Sequence, residues 1–194
     1  MHGGGVKPIY LINAIQCWNL KHELGISNEE TVILSVGEVN KNKNHKVVID
    51  ALQYLAGCCY VICGCGPLMK EHRKRAEKIG VESHLILAGY RNDVDVFYKM
   101  ADMFIFPSKR EGLPVSLIEA MSSGLPCAAA YNRGSRDLID DNELLFDGDN
   151  IESTIHAINK LQGMRPVIYN LDEYNITNIT DKMIALYSCG ENNP

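Results

Sequence analysis

FIFPSKREGLPVSLIEAMSSGLP, residues 104–126, is the stretch whose reading decides the fold. With the residue before it, its apolar opening is Met103-Phe104-Ile105-Phe106, which shows no polar alternation and stops at Pro107-Ser108. A strand buried on both faces reads this way. A charged loop follows, Lys109-Arg110-Glu111-Gly112. A helix then opens with Pro114 near its first position, where a missing N–H costs nothing. It carries Glu119 and ends at Gly124-Leu125-Pro126, a glycine and proline stop. A buried strand therefore delivers the chain to an exposed loop, and the loop feeds a helix whose amino end is a ready anion site. Glu111 and Glu119 lie eight positions apart, one in the loop and one about a turn inside the helix. They are spaced to close on one ligand from two sides.

Outward from this unit the chain alternates strand and helix. Short apolar strands are predicted at 31–36, 60–63, 84–88, 103–106 and 127–130, with a sixth segment at 143–146. Helices are predicted at 47–55, 68–79, 93–100, 114–123 and 151–162 from their apolar spacing. A helical patch at 17–24 ends at Gly25, and Gly3-Gly4-Gly5 with Lys7-Pro8 reads as a flexible lead-in. The tail at 175–187 has helical spacing. Three parts are expected: a lead-in over 1–30, an α/β unit over 31–165, and a helical tail over 166–194. Unalternating strands between helices mean an α/β fold, a doubly wound, Rossmann-like parallel sheet covered on both faces.

The chain of 194 residues is long enough for a proper core. Its formal net charge of −5 argues against a nucleic-acid partner. No run approaches the ~18 apolar residues of a membrane span. The first residues also lack the basic and then apolar regions of a signal peptide, which points to the cytoplasm. Seven cysteines read as buried, reduced thiols rather than disulfides. Cys63-Gly64-Cys65 has no second cysteine pair at zinc-site spacing, so neither metal nor cofactor is expected.

Ligands of such a sheet bind at the carboxyl ends of the strands. Those ends carry Gly37 with the Lys41/Lys43 loop, Gly64-Cys65-Gly66-Pro67, Gly89-Tyr90-Arg91, and Ser108 to Gly112. Glycine admits close backbone approach, and lysine or arginine neutralises phosphate. The four ends agree on a nucleotide-like anion.

The segment Glu111-Gly112-Leu113-Pro114-Val115-Ser116-Leu117-Ile118-Glu119-Ala120-Met121, after Phe106-Pro107-Ser108, resembles the paired-glutamate motif of retaining glycosyltransferases of family four, which have GT-B architecture. Ser35-Val36-Gly37, Lys43-Asn44-His45, Cys63-Gly64-Cys65-Gly66-Pro67-Leu68 and Ala101-Asp102 match as well. Arg133-Gly134-Ser135-Arg136-Asp137-Leu138-Ile139 resembles the capsule and exopolysaccharide version. The resemblance covers 31–162 and implies the C-terminal, donor-binding half of such an enzyme. His2-Gly3-Gly4-Gly5-Val6 resembles its interdomain hinge, with Lys7 where the family usually has aspartate.

The resemblance also implies roles. Glu119 holds the ribose hydroxyls, Glu111 faces the donor sugar, and Gly112, Leu113 and Pro114 bring the backbone to sugar and β-phosphate. Lys43 neutralises the leaving diphosphate. Gly37 and Gly66 border the nucleotide, and the base rests on the backbone of Tyr90 and Arg91. The family's usual arginine after the first strand is replaced by Glu38, so Lys41 or Arg110 is expected to make up the charge. The donor is a nucleotide diphosphate sugar, with UDP the family's expectation, and the acceptor domain is expected to be missing from this chain, leaving it inactive alone. The alternatives are a non-catalytic nucleotide-sugar-binding domain and a GT-B sugar-nucleotide epimerase fragment. His45 reads as structural. His72-Arg73-Lys74-Arg75 reads as a solvated helix face, with peripheral contact to an anionic membrane and its lipid-linked acceptors as the rival.

Overall fold

The computed structural model describes residues 14–164, 166–171 and 174. Helix α1 (Ala14–Glu23) precedes β1 (Thr31–Val36), α2 (His45–Ala51), β2 (Cys58–Cys63), α3 (Met69–Ile79), β3 (Leu85–Gly89), α4 (Val94–Met100) and β4 (Met103–Phe106). The chain continues with α5 (Val115–Ser122), β5 (Cys127–Ala130), the single turn α6 (Arg133–Arg136), β6 (Leu145–Phe146) and α7 (Ile151–Leu161). The expected tail helix and the glycine-rich lead-in lie outside the described residues.

All six strands pair in parallel, in the order β3-β2-β1-β4-β5-β6. Strand order reverses between β1 and β4, where Ile33 faces Met103. Right-handed crossovers then put α2 and α3 on one face and α4 and α5 on the other. Helix α7 returns to pack on α2, and α1 packs on α4. The sheet is therefore covered on both sides, which is why its strands are unbroken apolar runs. Tyr60, Phe97, Phe104 and Phe146 are the largest fully buried side chains.

Junctions are fixed by single residues. Val32 N donates to Asp102 Oδ2 at 2.8 Å, and Asp102 N returns a bond to Val32 O at 3.0 Å. That pair locks the β4 entrance to β1. Helix α5 stops with Leu125 N donating to Ala120 O and Gly124 N to Met121 O, around Gly124 at φ 80°. This is the Schellman end that glycine permits without steric cost.

Several boundaries differ from those predicted. Strand β2 starts at Cys58 because Cys58 and Cys59 pair with Thr31 and Val32. Helix α2 starts at His45, and its last predicted residues tighten into a 3₁₀ turn over Leu52–Tyr54. The one-turn helix α6 was not expected. Among the described cysteines all are unpaired, and Cys58, Cys59, Cys63 and Cys127 are buried as expected, whereas Cys65 is exposed. Burial pushes the Cys59 thiol up to about 12 and the Cys63 thiol to about 11, so both stay protonated.

The predicted solvated face over His72-Arg73-Lys74-Arg75 holds only for Arg73 and Lys74. Helical period carries His72 inward with Ala76, and His72 is 2% exposed. Arg75 turns back onto the buried carboxylate of Asp50, its Nη2 2.6 Å from Oδ2. A buried polar chain runs beside it. Ile105 O can only accept, so Ser35 Oγ donates to it at 2.5 Å. Tyr60 Oη then donates to Ser35 Oγ at 2.8 Å, and His45 Nδ1–H must donate to Tyr60 Oη at 2.9 Å. That leaves the His45 Nε2 lone pair facing inward, with the His72 ring edge-on at 6.3 Å between centroids.

Candidate functional site

The carboxyl ends of β1 and β4 open into loops 37–44 and 107–114, and these two loops are stitched together. Lys109 N donates to Asn42 O at 2.9 Å, and Asn42 Nδ2 donates to Arg110 O at 2.9 Å. Lys43 N in turn donates to Asn40 Oδ1 at 3.0 Å. The result brings Lys43 Nζ to 2.8 Å from Glu111 Oε1. Both side chains are largely shielded, and Lys43 Nζ also sits 5.1 Å from the Phe106 ring centroid. The two residues predicted to face sugar and diphosphate thus touch, 68 positions apart in sequence.

Gly37 stands under this pair. A Cβ there would lie 3.3 Å from Lys43 Cε, so the lysine stem packs where a side chain would be. Gly66 serves loop packing: its Cβ would fall 2.3 Å from Val39 O, so the 64–66 loop presses directly on the 37–39 backbone. Glu38 accepts from Asn40 Nδ2 at 2.9 Å and faces solvent. Lys41 and Arg110, the two cations expected to replace the missing arginine, are both exposed; the neighbouring Lys109 pairs with Asp149.

Helix α5 begins after Pro114, which takes the N-cap position, one residue earlier than predicted, and no side chain caps the helix. Val115 N donates to Leu113 O at 3.0 Å, so the amino end of the helix lies against the loop that carries Gly112 and Leu113. Glu119 projects from the fifth residue of α5 and accepts from Tyr98 Oη at 2.9 Å. Burial first, and then the charge of Glu119, push the Tyr98 phenol up, so it remains a donor.

Two supports come from a segment whose local structure was not foreseen. Asn132 caps α6 by accepting from Ser135 N at 3.0 Å and donates to Ser108 O at 2.8 Å, tying the β5 end to the β4 end. Gly134 sits so close that a Cβ would meet Gly112 O at 2.9 Å and Glu111 O at 3.0 Å. The loop bearing Glu111 therefore rests on bare backbone. The hydroxyls of Ser108 and Ser135 are buried here with no hydrogen-bond partner among the described residues.

Tyr90 is 76% exposed after β3. Arg91 is committed elsewhere: its guanidinium bonds Asp93 at 2.8 Å and Glu23 at 2.7 Å and lies over the Phe97 ring. Its side chain pins α1 to α4, leaving only its backbone for a ligand. A cavity lined by Leu52, Tyr54, Leu55, Ile79, Val81 and His84 lies at the amino ends of β2 and β3, away from these groups. Among the described residues, no three His, Cys, Asp or Glu side chains converge as metal ligands, and no helix is long and apolar enough to cross a membrane.

A parallel sheet in this order, with a lysine and carboxylates at its reversal point, is a Rossmann-like α/β fold with the polar groups where such sheets bind ligands. The family model for Glycosyl transferases group 1 matches residues 17–178, and the chain belongs to that family. It is 30% identical over 197 residues to UDP-Gal:alpha-D-GlcNAc-diphosphoundecaprenol alpha-1,3-galactosyltransferase of Escherichia coli, covering 90% of this chain and 50% of that protein. It is 31% identical over 156 residues to N-acetylgalactosamine-N,N'-diacetylbacillosaminyl-diphospho-undecaprenol 4-alpha-N-acetylgalactosaminyltransferase of Campylobacter jejuni, covering 76% of this chain and 42% of that protein. The chain thus spans about half the length of the curated relatives it matches. The crystal structure of Anabaena Alr3699/HepE in complex with UDP and glucose superposes with a TM-score of 0.83 at 18% identity, over 93% of this chain and 54% of that one. That likeness speaks to the fold.

Proposed function

We propose that this chain is the C-terminal, donor-binding half of a glycosyltransferase that moves a sugar from a UDP-sugar to an acceptor hydroxyl with retention at the anomeric carbon. The observation that carries the proposal is the 2.8 Å contact of Lys43 with Glu111 at the point where strand order reverses. The two charges satisfy each other across that contact. A nucleotide sugar offers each a better partner: phosphate oxygens for Lys43 and sugar hydroxyls for Glu111. The uncapped amino end of α5 adds dipolar stabilisation as the diphosphate leaves. Glu119 takes the ribose diol, Gly112 to Pro114 bring backbone against sugar and phosphate, and the base rests on the backbone after β3. Names of relatives that act on diphosphoundecaprenol-linked acceptors support a role in bacterial glycan assembly. On this reading the described residues bind the donor, and transfer requires the acceptor-binding half of a GT-B enzyme as well.

The test is calorimetric titration with UDP, GDP and ADP. UDP binds most tightly, and Glu119→Ala weakens it about tenfold, the loss of hydrogen bonds to a charged acceptor. Silence with every nucleotide would overturn the donor role. Equal binding by the variant would remove the ribose assignment.

A further inference from the structure

We propose that Tyr98 is a positioning residue for Glu119, holding its carboxylate in the rotamer that receives the ribose diol; this rests on the ribose role proposed above. Tyr98 comes from α4, on the face of the sheet that also carries α5, and is 4% exposed. Its ring packs 5.9 Å from that of Phe104, a fully buried residue of β4. The phenol is therefore a fixed point in the core, whereas Glu119 is an exposed side chain on the rim of the site.

The phenol has one proton and two acceptors in reach, Glu119 Oε2 at 2.9 Å and Ser116 O at 3.2 Å. The charged and nearer acceptor takes the proton. A carboxylate offers about four lone-pair directions, so Tyr98 leaves enough for two ribose hydroxyls. A free glutamate at the surface samples many rotamers, and ligand binding must then remove that freedom. Anchoring Oε2 removes it in advance. The same bond ties the side chain to α4, and the Tyr98 ring packs on Phe104 of β4, the strand that delivers the loop bearing Glu111. Both glutamates are then referred to one strand. Removing the hydroxyl leaves the ring's packing intact, so Tyr98→Phe separates positioning from folding.

The 194-residue chain is titrated with UDP and with 2′,3′-dideoxy-UDP, in the wild type, Tyr98→Phe, Glu119→Ala and the double variant. Tyr98→Phe weakens UDP about fivefold, the rotamer freedom returned to Glu119, and leaves the dideoxynucleotide unchanged. Glu119→Ala erases the preference for the intact ribose, and adding Tyr98→Phe to it changes nothing further. Equal weakening of both nucleotides by Tyr98→Phe overturns the positioning role in favour of a packing one. No weakening of UDP overturns it too, while a preference lost in Glu119→Ala keeps the ribose reading. A ribose preference that survives Glu119→Ala overturns both.

Discussion

Replacing Gly64 by alanine lowers the unfolding free energy by about 4 kcal/mol, the sum of a backbone forced into a glycine conformation and a displaced neighbouring loop. Gly64 has φ 154°, and a Cβ there would fall 1.9 Å from Gly37 O. That oxygen belongs to backbone and cannot turn aside. The two loops are held together around it, with Gly37 N donating to Cys63 O at 3.0 Å, Val39 N to Cys65 O at 2.9 Å, and Leu68 N to Val39 O at 3.1 Å. Forcing them apart moves Gly37, against which the Lys43 stem packs, so nucleotide affinity falls along with stability. Gly57→Ala is the control. Gly57 also has positive φ, 70°, but nothing lies within 4 Å of its Cβ position. It costs only the left-handed penalty, about 1 kcal/mol. Urea unfolding of both variants decides the matter. Losses of equal size would show that dihedral strain alone operates, and the close approach would then carry no energy.

The sequence made the sheet legible because its strands are buried on both faces. The runs 31–36, 103–106 and 127–130 coincide with β1, β4 and β5 residue for residue. A glycine or proline adjoins one end of each apolar run, leaving little room for slippage. The helix ends were harder, since a turn such as 52–54 keeps helical spacing while tightening. In the site, motif and spacing singled out Lys43, Glu111 and Glu119 before any contact was known. Their supports stayed hidden for a physical reason. Tyr98 reaches Glu119 across 21 positions, Asn132 reaches Ser108 across 24, and Asn42 reaches Arg110 across 68. Each is an ordinary polar residue until the fold brings its partner near. His72 misled in the opposite direction. It sits inside a run of basic residues, and only the helical period with Leu68 and Ala76 shows that it points inward.

Acid destabilises this fold before its carboxylates titrate, and His45 is the main cause. Burial, helped by His72 and Lys43, lowers the His45 imidazole to about 3, while the carbonyl of Glu38 works weakly the other way. Burial lowers His72 as well. The unfolded imidazole titrates near 6.5. Between about pH 6.5 and 3 the unfolded chain therefore binds a proton that the folded chain refuses, so stability rises with pH there. The contribution is whole above pH 6.5 and is lost as pH falls. From pH 7 to pH 5 His45 alone removes about 2 kcal/mol, and by pH 4 about 3 kcal/mol. The bond network supplies the reason burial is tolerated: Nδ1–H is already committed to Tyr60 Oη, so the neutral tautomer loses little. Protonation would add a second N–H at Nε2, beside the buried His72 ring. His45→Asn keeps a donor near the Nδ1 position and cannot take up a proton in this range. That variant starts less stable at neutral pH through lost packing, yet its slope between pH 7 and 5 drops to what His72 supplies. Chemical denaturation at each half pH unit measures both slopes. A wild-type stability flat from pH 7 to 5, or a variant slope equal to the wild type's, would free His45 of the role. The same residue opens α2 directly after Lys43 and Asn44. Its protonation therefore loosens the loop that presents Lys43, and nucleotide affinity falls with stability over the same pH range.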